Sequence, residues 1–251
     1  SRRVQTFTDS VIRRMTRIND MTPGSINLSQ GFPDFDPPKE ILEALKVAAE
    51  HGPHQYSITF GAKNFRDALA DMYTKKWNRP IDPDKEIVVT CGGTEAMMAA
   101  MMTVCNPGDK VAVFSPFYEN YGADAILSGA DPIYIPLVPP DFHYDRAVLE
   151  QAFRDGAKAL ILCNPSNPCG KVFTMGEMEE IAELAKQYDA FVITDEVYEY
   201  IIYDGNRHIF MAALPGMYER TITCSSLSKP DSMTGLSDRT GARDRGGKEG
   251  S

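Results

Sequence analysis

Between residues 86 and 224 the chain repeats one pattern, a short apolar run followed by a longer stretch. The runs are Glu86–Cys91, Lys110–Ser115, Pro132–Leu137, Ala159–Cys163, Phe191–Thr194 and Thr221–Cys224. Most are near-continuous rather than alternating, as expected of strands covered on both faces. Thr94–Val104, Tyr144–Arg154 and Met175–Tyr188 lie between several of them and read as helices. Strand–helix alternation of this kind specifies an open α/β sheet, because each crossover helix has to cover a face of a mostly parallel sheet. Upstream, Val11, Met15 and Ile18 fall at helical spacing within Asp9–Asp20, and Glu40–Glu50 and Ala62–Lys76 read as amphipathic helices. Asn27–Pro38 is a loop marked by Gly31, Pro33, Pro37 and Pro38. No internal repeat is visible.

The 251 residues are 43% hydrophobic and 24% charged, enough for one or two globular domains with a real core. The net charge of −9 gives no basic footprint for nucleic acid and argues against an anionic membrane surface as partner. No apolar run approaches the ~20 residues that span a bilayer, and no signal-like apolar stretch follows the charged start Ser1–Thr6. The five cysteines are odd in number, widely spaced and without a CxxC pair. A disulfide framework or zinc site is therefore not expected, and a reducing cytoplasm is the simplest compartment. His51, His54, His143 and His208 lack ligand spacing and read as surface or loop residues, so no metal is expected. Cys163 and Cys224 read as small apolar fillers, and Trp77 as packing. Pro230–Ser251 holds five glycines and eight charged residues against three apolar ones, which reads as a disordered or poorly packed tail.

Four segments carry candidate chemistry. Thr90–Ala96 runs through Gly92 and Gly93 into a helix, whose free N–H groups make an anion site; alone it reads first as an ordinary strand-to-helix turn. Asn164–Gly170 follows a strand directly, where open α/β sheets bind ligands; a rigid turn capped by its Asn side chains is an equal reading. Asp195, ending another strand, would project into the same crevice, or else cap a helix. Lys229 closes the serine-rich stretch Cys224–Ser228, although most lysines are surface residues.

Together these segments resemble the fold-type I pyridoxal-phosphate enzymes of the class I/II aminotransferase group. The matching residues are Gly31–Phe35, Gln55-Tyr56, Gly93-Thr94-Glu95, Ser115–Tyr118, the Asn-Pro loop 164–170, Asp195–Tyr198 and Ser226–Lys229, in order and spacing across residues 1–229. The resemblance implies an α/β large domain with a mostly parallel sheet flanked by helices. It divides the chain into an N-terminal helix and loop (1–40, part of the family's small domain), a cofactor-binding large domain (41–229) and an aberrant polar tail (230–251), with the C-terminal small domain absent.

The resemblance also implies roles. Lys229 would form the Schiff base with pyridoxal 5′-phosphate and then shuttle a proton. Asp195 would keep the pyridine nitrogen protonated. Asn167 and Tyr198 would hydrogen-bond the phenolic oxygen, and Tyr118 would stack on the ring. Gly93, Thr94 and Ser226 would hold the phosphate. Tyr56 would reach the phosphate of a neighbouring subunit in a homodimer, and Gly31, with Asn167, would lie near the substrate. After Lys229 the pattern departs: Ser237 stands where the family carries a phosphate-binding arginine, and Arg239 is two residues late. The family's next strand, which runs antiparallel between the first strand and the strand leading to the lysine, is missing. The sheet is therefore expected to show a gap or exposed edges, which invite aggregation. The activity implied is exchange of an amino group between an L-amino acid and a 2-oxo acid. Gly31–Phe35 looks more like the glutamine, kynurenine or methionine type than the aspartate type. A carbon–sulfur β-lyase, and an inactive subunit acting only as an interaction partner, stand as alternatives.

Overall fold

Five parallel strands form one sheet in the order β2–β1–β3–β4–β5, where β1 is Lys110–Ser115, β2 Asp131–Pro136, β3 Ala157–Cys163, β4 Phe191–Asp195 and β5 Thr221–Cys224. The computed structural model describes residues 10–31, 33 and 35–233. Most of the polar tail, with Ser237 and Arg239, lies outside the described residues.

Side chains alternate across the sheet with the period of two that a strand imposes. Val111, Val113, Ala159, Ile161 and Ile193 face α4 (Gly92–Val104) and α5 (Asn120–Ser128). Ala112, Phe114, Leu160, Leu162 and Val192 face α6 (Arg146–Arg154) and α7 (Met175–Gln187). Burial on both faces explains why the strands read as continuous apolar runs. The two edge strands are the exceptions: only Ile135 is buried in β2 and only Cys224 in β5. Local signals fix the helix ends. Thr174 and Glu177 form a reciprocal capping box at α7. At α5, Gly129 sits at φ +89°, where a Cβ would come within 3.1 Å of the Pro107 backbone, so the C-cap requires glycine.

Three features differ from the sequence reading. α5 is a helix that the sequence reading does not name. Glu86–Cys91 does not pair as a strand; Val89 N donates to Phe60 O, outside the sheet. A strand exists only through its ladder partner, and between this segment and β5 lies a cavity of about 600 Å³ lined by Trp77, Ile87, Val89, Thr223 and Leu227. The expected interruption of the sheet therefore takes the form of a cavity beside the free edge of β5. Finally, α1 (Val11–Asp20) and α2 (Lys39–His51) form as their periodicity predicts, yet no residue of either is buried. α3 (Lys63–Trp77) buries only Arg66 and Ala70; Trp77 packs at its end with Tyr73, Phe210 and Tyr218. Among the described residues no helix is long and apolar enough to cross a membrane.

Candidate active site

The C-terminal ends of β3, β4 and β5 place three side chains in one row. In the parallel register Cys163 pairs with Asp195, and Asp195 with Cys224. The row faces α5, which supplies Tyr121. Its hydroxyl donates to Asp195 Oδ2 at 2.7 Å, and the Val197 N–H donates to Oδ1 at 3.2 Å. Burial pushes the Asp195 carboxyl above the usual carboxylate range, and these two donors oppose that push. Asp195 caps no helix; its backbone carbonyl accepts from Asn164 N.

The Asn-Pro loop leaves β3 beside this row, with cis peptides before Pro165 and Pro168. Its two asparagines divide the work. Asn164 is buried and structural: Oδ1 accepts from Phe173 N and Nδ2 donates to Ile209 O. Asn167 turns toward the site and donates to the Tyr198 hydroxyl at 3.4 Å. Burial pushes the Tyr198 phenol up to about 12, so it stays protonated at neutral pH. Tyr118 precedes α5, half-buried, its ring edge-on to Tyr121 with centroids 5.8 Å apart.

The first turn of α4 forms the other wall. Its N-cap, Cys91, provides no side-chain cap, so the Gly93 and Thr94 N–H groups remain available as donors. Ser226 faces this turn, its Cβ 3.9 Å from where a Gly93 Cβ would stand. Asn120 donates to the Thr94 hydroxyl, and the Glu95 carboxylate accepts from Cys91 N. Lys229 follows in a turn after β5, half-buried. The sheet thus links Asp195 to Tyr118 through Tyr121 at one edge, with Asn167 on Tyr198 and Ser226 facing the Gly93–Thr94 turn; Lys229 is placed only in the turn that follows β5. It does not bring Tyr56 or Gly31 there: Tyr56 is fully exposed, and Gly31 is exposed with no atom within 4 Å of a built Cβ. The large cavity beside β5 touches this site at Gly92, Cys224 and Ser226; its lining includes none of Asp195, Asn167, Tyr198 or Lys229.

Two sequence readings need correction. His208 lies in a loop but not on the surface; its side chain is 7% exposed and its Nε2 lies 3.3 Å from the buried Glu196 Oε2. Cys163 is more than a filler. Its thiol donates to Pro165 O at 3.2 Å and accepts from Asn167 N at 3.4 Å, and burial keeps it un-ionised. Tyr121 was missed altogether. Its position, in the first turn of a helix outside the sequence-predicted ones, gives it no motif of its own. Among the described residues no cluster of metal-ligating side chains is present.

Residues 23–242 match the family model for aminotransferase class I and II. Human kynurenine–oxoglutarate transaminase 3 is 40% identical over 224 residues, covering 85% of this chain and 49% of that protein. The structure of N-succinyldiaminopimelate aminotransferase from Mycobacterium tuberculosis superposes with a TM-score of 0.87 at 37% identity, over 93% of this chain and 61% of its own. An Escherichia coli protein with a methionine aminotransferase function gives 0.85 at 32% identity, over 91% and 60%. The chain spans about half the length of the curated relatives it matches.

Proposed function

The chain belongs to the aminotransferase class I and II family, and on that premise we propose that it serves the exchange of an amino group between an L-amino acid and a 2-oxo acid. Enzymes of this family depend on pyridoxal 5′-phosphate. The residues present fit that group. Asp195 accepts from two neutral donors and, among the described residues, has no ion-pair partner; a protonated ring nitrogen complements it. The uncapped first turn of α4, facing Ser226, suits a phosphate. When bound, the cofactor supplies an electron sink for bond changes at the substrate α-carbon.

The chain's own groups do the rest. Asp195 holds a proton at the ring nitrogen. Asn167 uses one amide hydrogen on Tyr198, which leaves the Tyr198 O–H free to donate to the phenolic oxygen. Tyr118 holds the ring plane. The Gly93 and Thr94 N–H groups, with the Thr94 and Ser226 hydroxyls, bind the phosphate. Lys229 supplies the amine that tethers the cofactor aldehyde and then moves the proton at the substrate α-carbon. We divide the chain accordingly, with 41–229 as the cofactor-binding unit. We also read the protein as a cytoplasmic homodimer: fully exposed Tyr56 is then free to reach a partner's phosphate, Gly31 to lie near substrate, and all five cysteines stay reduced.

The observation that carries this reading is Asp195, enclosed at the strand ends with neutral donors only. The test is to add pyridoxal phosphate to the 251-residue chain, reduce with borohydride and map the labelled peptide. Label at Lys229, lost in Lys229→Ala, supports the reading; label mainly on another lysine removes it. Asp195→Asn is expected to slow the chemical step more than it weakens cofactor retention. Formation of a new amino acid, rather than pyruvate and ammonia, separates transfer from β-elimination.

A further inference from the structure

Tyr121 belongs to none of the motifs, yet it touches two of the site's side chains. It is 2% exposed. Its hydroxyl donates to Asp195, its ring lies edge-on to Tyr118, and it packs in one buried cluster with Cys163. Cys163 in turn holds the backbone of Asn167. We propose that Tyr121 is a positioning residue that keeps the Asp195 carboxylate ionised and aimed along the strand-end row. The inference rests on the cofactor reading above.

The physical argument starts from burial. An enclosed carboxylate stays charged only if donors replace the water it has lost. The titratable groups that face Asp195 are Tyr121 from α5, Tyr118 just before it, Cys163 from β3, Cys224 from β5 and Tyr198 after β4. Burial raises all five above their ordinary values, so each is neutral near pH 7 and none supplies a positive charge. The donors acting on the carboxylate are therefore the Val197 N–H, fixed by the backbone, and the Tyr121 O–H. Of the two, only Tyr121 is a side chain whose identity the sequence chooses. A phenylalanine would keep the packing and remove the proton.

The test titrates Asp195 in the cofactor-free 251-residue chain. Its carboxyl C=O infrared band is identified by its loss in Asp195→Asn. Tyr121→Phe is expected to raise the pH at which Asp195 titrates by about one to two units, the size of one hydrogen bond to a charged acceptor. Incorporation of 3-fluorotyrosine at position 121, a more acidic phenol of nearly the same shape, is expected to lower it. A packing role alone would move neither. An unchanged titration in folded Tyr121→Phe overturns the proposal; should that variant fail to fold, an unchanged titration in the fluorotyrosine chain overturns it. Because no cofactor is present, these outcomes are independent of whether Lys229 becomes labelled.

Discussion

The two sides of the molecule obey the same local rules and end in different states. On one side, β1, β3 and β4 lie between α4 and α5 above and α6 and α7 below, and residues such as Leu160, Ile161, Leu184 and Val192 are wholly buried. On the other, α1 and α2 are helices with no buried residue, Val11 is 60% exposed, and residues 87–90 pair in no ladder. The contrast separates what local pattern decides from what a covering partner decides. Helical spacing suffices to form a helix in place, since its hydrogen bonds are internal. A strand needs a second chain segment for every ladder hydrogen bond it makes, and an apolar face needs a second surface before it contributes stability.

The largest expected difference is in core truncation. Leu160→Ala removes a side chain enclosed on the α6/α7 face and should cost about 2–5 kcal/mol. Leu45→Ala, on the open face of α2, should stay within about 0.5 kcal/mol. Urea denaturation of the two variants checks this; equal losses would show that α2 is covered in solution.

A smaller effect concerns a charge inside the covered side. Asp124 on α5 is 3% exposed, its Oδ2 has no hydrogen-bond partner, and burial alone pushes its carboxyl up to about 6. Its folded-state value lies above its unfolded one, so the folded chain binds the extra proton between about pH 4 and 6. Stability from this group accordingly falls as pH rises through that window, with the full penalty, at most about 3 kcal/mol, present above pH 6. Asp124→Asn should flatten this slope, which is measurable as the urea midpoint at pH 5 against pH 7. A slope unchanged by the substitution would show that Asp124 is hydrated.

The smallest comparison sets one helix cap against another. Thr174→Ala breaks the capping box of α7, a helix packed on the core, and should lower global stability by about 1 kcal/mol. Ser10→Ala removes the corresponding cap of α1, where the loss should show only as faster amide exchange across residues 11–20, with the global midpoint unmoved. A shared drop in midpoint would mean that α1 unfolds together with the sheet.

Where burial and local pattern coincide, the sequence is readable almost to the residue. β1 and β5 have the bounds their apolar runs predict, and α7 starts at its capping box. Asp195 and the Asn167 loop stand out in the sequence because they follow strands, whereas Tyr198 and Ser226 are marked there only by the family resemblance. What escaped depends on partners distant in the chain. Glu86–Cys91 has strand composition but no neighbour to pair with. His208 looks like a loop histidine until Glu196, twelve residues earlier in sequence, is placed beside it. Tyr121 is one aromatic among many until β4 brings Asp195 to its hydroxyl, and Cys163 gains its role only because the Asn-Pro loop folds back over its thiol.

The shared register of Cys163, Asp195 and Cys224 also governs how the site answers to ionic strength. Both thiols are kept un-ionised by burial, so any negative charge in the row rests on Asp195, between two neutral groups. A cation seated against that charge makes an enclosed pair, which mobile ions screen little. An anion at the first turn of α4 instead meets exposed Thr94 at the solvent rim, within reach of dissolved salt. On the proposed cofactor reading, added electrolyte would therefore loosen the two ends of the site unequally, the helix end before the strand end.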